Sequence, residues 1–104
     1  MAATYKPGAR LKSAVSDTQI MVLRTPGAAI DLRCGGHAMV GMAEEVPAGL
    51  VMDAALATPC LTGKRYVDAA ETMEFLCTKG GDGTLSVDGV ALDVKQAKQL
   101  PSSD

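Results

Sequence analysis

Tryptophan is absent from the 104-residue chain, and aromatic residues make up only 3% of it, as Tyr5, Tyr66 and Phe75. Any core must therefore be built from Val, Leu, Ile, Met and Ala, which makes it thin. No basic block is present: 10 Lys and Arg are interspersed with 12 Asp and Glu, for a net charge of -2. That distribution argues against a counterion-releasing nucleic-acid face and against a polybasic membrane patch. The longest apolar stretch, Gly49 to Thr58, is broken by Asp53 and falls far short of the roughly 20 residues of a membrane span. With no charged-then-apolar leader in the first residues, the chain is expected to be cytoplasmic.

Cysteine is also scarce. Cys34, Cys60 and Cys77 form an odd set with no CxxC pair, which argues against a disulfide framework and against an intact four-thiolate metal site. What remains, 47% hydrophobic and 21% charged residues, fits one small soluble globular domain.

The chain repeats itself. The segment beginning at Gly8 can be laid over the one beginning at Gly63, with short gaps, so that Arg10 meets Arg65, Ala14 meets Ala69, Leu32 meets Leu85, Gly36 meets Gly89 and Ala38 meets Ala91. Each half reads as a short strand, an apolar run, a Gly-rich turn, an alternating strand and a tight Gly turn. Ile30, Leu32 and Cys34 alternate with Asp31 and Arg33, and Leu85 and Val87 with Ser86 and Asp88, the period of half-buried strands. Pro26-Gly27 and Gly80-Gly81-Asp82-Gly83 are expected to close an antiparallel hairpin in each half. The expected organisation is a single domain with repeat 1 over 8–42, a linker over 43–62, repeat 2 over 63–96 and a flexible tail over 97–104. Leu50 to Leu56 fits either a short helix or a strand. A half of about 35 residues lies below the roughly 40 that normally fold without metals, disulfides or association, so the halves must share a core.

The second half resembles the desulforedoxin fold, the small rubredoxin-like module also found at the N-terminus of desulfoferrodoxins. Tyr66, the turn Gly81 to Gly83, Thr84, Leu85 and Gly89 stand at matching positions, and the first half repeats the resemblance through Lys12, Leu32, Cys34, Gly36 and Met39. Because such modules are homodimers, the resemblance implies an all-β chain of two small β-hairpin halves packed as an intrachain pseudo-dimer. It also implies four thiolate positions per half. Here they carry Ser13, Ser16, Cys34 and Gly35 in the first half and Asp68, Glu71, Val87 and Asp88 in the second. Only Cys34 keeps its sulfur, and a tetrahedral zinc or iron site of this kind needs four thiolates.

Cys34 and His37 make a Cys-x-x-His pair on a turn, where a thiolate and an imidazole can approach one metal ion. The simpler expectation is a small buried hydrophobe and a solvated imidazole. Asp68, Glu71 and Asp88 suggest a hard cation, but three ligands make a poor cage. Cys77 reads as a strand residue, and Cys60 follows Pro59 in the linker; either is a nucleophile only beside a base, and His37 is the one histidine. "GGDGT" lacks the ending of a phosphate loop and reads as a turn. These readings lead to a non-catalytic accessory or structural subunit. It would have no cofactor and would contact a larger protein or its own copies through short edge strands, the apolar linker around Leu50 to Leu56 and the tail. The alternative is a zinc- or iron-binding redox module with one residual site near Cys34 and His37.

Overall fold

The computed structural model describes residues 3–95; the tail expected over 97–104 lies outside the described residues. The fold is all-β, with ten short strands and one single-turn 3-10 helix among the described residues. Strands β1 (Arg10–Lys12), β2 (Gln19–Arg24), β3 (Leu32–Cys34), β4 (His37–Ala38) and β5 (Val40–Gly41) precede the 3-10 turn Ala54–Leu56. Strands β6 (Arg65–Val67), β7 (Glu74–Lys79), β8 (Leu85–Val87), β9 (Val90–Ala91) and β10 (Asp93–Val94) follow it.

Two antiparallel sheets result. One has six strands in the order β10-β6-β7-β2-β1-β5, the other four in the order β4-β3-β8-β9. Exchanging β1–β5 with β6–β10 leaves both orders unchanged, with β2–β7 and β3–β8 as the central pairs. Backbone hydrogen bonds follow the same exchange. Gly8 donates to Val22 at 2.7 Å and Gly63 to Cys77 at 2.8 Å, while Met39 donates to Leu32 at 3.2 Å and Leu92 to Leu85 at 2.9 Å.

Period-2 patterning explains which face of each strand is buried. Across β2–β7, Ile20 faces Cys77 and Val22 faces Phe75, and all four side chains are fully buried. Leu32, Cys34, Leu85 and Val87 of the four-stranded sheet join them in one core cluster. Each such aliphatic or aromatic side chain contributes about 1.5–3 kcal/mol on burial. Ser86 departs from the expected alternation. It is buried because Arg33 and Ala91 flank it in the neighbouring strands.

The hairpin turns lie elsewhere than expected. Pro26-Gly27 falls between β2 and β3, and Gly80–Gly83 between β7 and β8, so both carry the chain from one sheet to the other. The tight hairpins are β3–β4 and β8–β9. Their two-residue turns, Gly35-Gly36 and Asp88-Gly89, have positive φ at both central residues, the type I′ pattern that matches strand twist. Sequence near a glycine shows where the chain bends, whereas the choice of partner strand depends on the other half.

Leu50 to Leu56 is neither a full helix nor a strand. It contains the 3-10 turn, capped by Asp53, whose Oδ1 accepts from the Ala55 amide at 3.0 Å. The linker is stitched to the sheets by Asp53 N donating to Gly35 O at 3.0 Å and Thr84 N donating to Leu56 O at 2.8 Å. No helix among the described residues is long and apolar enough to cross a membrane.

Candidate functional site

The positions expected to derive from metal ligands fall into two turns and two hairpin ends. In the β1–β2 turn, Ser13 Oγ accepts from the amides of Val15 and Ser16 at 3.0 and 3.1 Å. Ser16 Oγ donates to Thr18 Oγ1 at 3.1 Å, and Thr18 Oγ1 donates to the Asp82 carbonyl at 3.2 Å. The Cys34 thiol lies against that same carbonyl at 3.9 Å. The fully buried Cys34 and Thr18 thus meet at the backbone that leads into β8.

The β6–β7 turn closes in a related way. Asp68 Oδ2 accepts from Thr72 Oγ1 at 2.6 Å and Oδ1 from the Met73 amide at 3.0 Å. Partial burial works against ionisation of Asp68, but these hydrogen bonds prevail and hold its carboxyl below the ordinary value. Glu71 is exposed in a left-handed conformation with φ 55, and its amide donates to the Asp68 carbonyl at 3.0 Å.

At the hairpin ends, Gly35 and Asp88 occupy equivalent turn positions, and Val87 is a buried strand residue opposite Leu32. The Asp88 carboxylate accepts from the Asp31 amide at 2.9 Å. The donors at Ser13, Ser16, Asp68 and Asp88 are therefore engaged in closing their own turns or joining strands. Among the described residues, no group of three or more His, Cys, Asp and Glu is placed to hold a metal ion. The residues present do not make the four-donor shell that the resemblance implies.

Cys34 and His37 are opposite one another across β3–β4. The Cys34 thiol is directed into the core, and Gly83 packs so closely on it that a Cβ there would lie 2.7 Å from the sulfur. The half-exposed His37 places Nε2 2.7 Å from the Val51 carbonyl; because a carbonyl only accepts, Nε2 carries the proton. His37 thereby holds the linker against the four-stranded sheet.

Cys60 and Cys77 are both buried. Burial, reinforced by the neighbouring Cys77, pushes the Cys60 thiol up to about 12, and burial raises Cys77 as well. Neither is a thiolate at neutral pH, so neither is an activated nucleophile.

One feature escaped the sequence reading, and a second was anticipated only at Leu50 and Val51, within the apolar linker expected to touch a partner. The first is a cleft of about 760 Å³ between β1, β4, β5 and the linker, lined by Tyr5, Leu11, Met39, Val40, Glu44 and Leu50 among others. The other is the adjoining surface: Met42, Val46, Leu50 and Val51 are exposed large hydrophobics on one stretch of linker, Val51 at 78%. The apolar residues at 46, 50 and 51, separated by Pro47 and Gly49, were the available signal, since such residues in an irregular segment have no sheet to cover them.

In comparisons with family models, curated proteins and solved structures, the chain has no significant match.

Proposed function

We propose that the chain is a non-catalytic accessory or structural subunit. It acts in the cytoplasm by contact with a larger enzyme or by oligomerisation, on a rubredoxin-like scaffold that has lost its metal sites. The observation that carries this reading is the gathering of Met42, Val46, Leu50 and Val51, all exposed, on one connector beside an apolar cleft. Exposed apolar side chains gathered on one short segment are a mark of contact sites. The matched strand orders support descent from two fused modules, and the hydrogen bonds at Ser13, Ser16 and Asp68 occupy the side chains that metal ligation would need.

The test is native mass spectrometry of the untagged protein isolated gently from its source cells, alongside the Val51→Asp variant. The expected result is a metal-free chain in defined stoichiometry with a larger protein or with itself, and loss of that assembly in the variant. A lone chain carrying zinc or iron overturns the reading.

A further inference from the structure

The exchange of β1–β5 with β6–β10 makes each half a reference for the other, and the two differ at the edges of the six-stranded sheet. The outer cross-strand pair is Leu11 and Gly41 in the first half, and Tyr66 and Val94 in the second. Leu11 and Gly41 both line the cleft of about 760 Å³, whereas Tyr66 is buried and Val94 packs on the core. The cleft therefore lies where the second half holds a phenol and an isopropyl group. The backbone beside it is the same in both halves: Ala9 N donates to Lys6 O at 3.0 Å, as Lys64 N donates to Leu61 O at 3.1 Å. In the second half the Tyr66 hydroxyl accepts from the Leu61 amide at 2.9 Å, the polar contact that a buried phenol needs. The counterpart of that donor, the Lys6 amide, has no protein partner among the described residues.

We propose that this cleft binds a small uncharged phenol, its ring in the space that Tyr66 fills in the second half and its hydroxyl accepting from the Lys6 amide. The backbone that carries Tyr66 has its counterpart in β1, so what the first half lacks is side-chain atoms alone. That favours a free small molecule over a tyrosine carried in on another chain. The volume lies within the roughly 300–1,000 Å³ of ligand pockets, with Leu11 and Met39 as apolar walls and Tyr5 as an aromatic one. Arg10 and Glu44 both line the cleft and offset each other's charge. Burial, and then the charges of Asp31 and Glu44, raise the pKa of Tyr5 and keep it protonated; the same surroundings suit a neutral phenol better than a phenolate. Binding here is independent of the accessory-subunit reading, since it needs only the isolated chain, whereas that reading stands on an assembly.

The probe is p-cresol, the tyrosine side chain as a free molecule, titrated into the isotope-labelled full chain and followed by amide chemical shifts. The expected result is saturable shifts centred on Lys6, Leu11, Met39 and Gly41. Toluene, which lacks the hydroxyl, should bind roughly fivefold more weakly, the fold-change of one net hydrogen bond. Leu11→Tyr places a phenol in the cleft covalently and should abolish saturable binding while the fold is kept. Gly41→Val restores the other member of the pair and should weaken binding; the nearest atom to its Cβ would be the end of the Glu44 side chain, at 3.0 Å. This second variant decides if Leu11→Tyr fails to fold. Shifts that stay linear, shifts centred on Tyr66 and Val94, equal affinity for toluene, or undiminished binding in the variants overturn the proposal. So does tighter binding of a blocked Gly-Tyr-Gly peptide, which would assign the cleft to a tyrosine of another protein.

Discussion

Asp31 and Asp88 exchange hydrogen bonds across the junction between β3 and β8: the Asp31 amide donates to the Asp88 carboxylate at 2.9 Å, and the Asp88 amide donates to the Asp31 carbonyl at 3.0 Å. Asp88 does this from a left-handed turn position with φ 51, a conformation that Asn tolerates better than Ala. Asp88→Ala should therefore cost about 1–2 kcal/mol through backbone strain and a lost acceptor. Asp88→Asn keeps both features and should be nearly neutral. Urea unfolding of the two variants measures the contrast; equal losses would show that the carboxylate charge is what matters.

Glu74 makes the second prediction. Its carboxylate meets Lys95 Nζ at 2.9 Å and Arg65 at 3.4 Å. The Lys95 hydrogen bond, opposed by burial and aided by both positive charges, holds its pKa below the ordinary 4.5. A depressed folded-state pKa contributes stability that is present above the ordinary value and lost as pH falls through the folded one. Stability should thus decline on acidification below the ordinary carboxyl range. In Glu74→Gln the decline should be shallower, as read by denaturant titrations at neutral and acidic pH.

Gly83 has φ 116, and a Cβ there would stand 2.7 Å from Cys34 Sγ. Gly83→Ala combines a conformation reserved for glycine with a collision in the core, so it should destabilise by about 2–4 kcal/mol. Adding Cys34→Ala should return part of that loss by relieving the collision while the backbone strain persists. A double-mutant cycle by thermal or urea unfolding tests the coupling.

Phe75 is fully buried opposite Val22, whereas Val90 is 67% exposed on the edge strand β9. Phe75→Ala should cost about 3–5 kcal/mol, and Val90→Ala less than about 0.5 kcal/mol. Comparable losses at the two sites would mean that Val90 is covered by a partner in solution.

How much of this was legible in advance varies from residue to residue. The burial of Ile30, Leu32 and Cys34 follows from their alternation with Asp31 and Arg33, because a pleated strand sends successive side chains to opposite faces. Cys77 likewise packs inward from β7 as its pattern indicated. Ser86 broke the pattern because its cover comes from Arg33 and Ala91, in strands distant in sequence. The candidate site was less readable. Cys34 and His37 share a hairpin, but their hydrogen bonds run to Asp82 and Val51, well away along the chain.

The sequence by itself determined the bends at its glycines and the inward faces of most of its strands, since these depend on local backbone freedom and a two-residue period; the all-β class, expected from the resemblance, is the class the structure has. Only the tertiary structure decided that Pro26-Gly27 and Gly80–Gly83 cross between sheets, that β2 pairs with β7, and that Cys60 bridges to Gly81. These outcomes are long-range. They arise from the burial available when two apolar strand faces meet, a quantity that belongs to the pair of segments and is written in neither one alone.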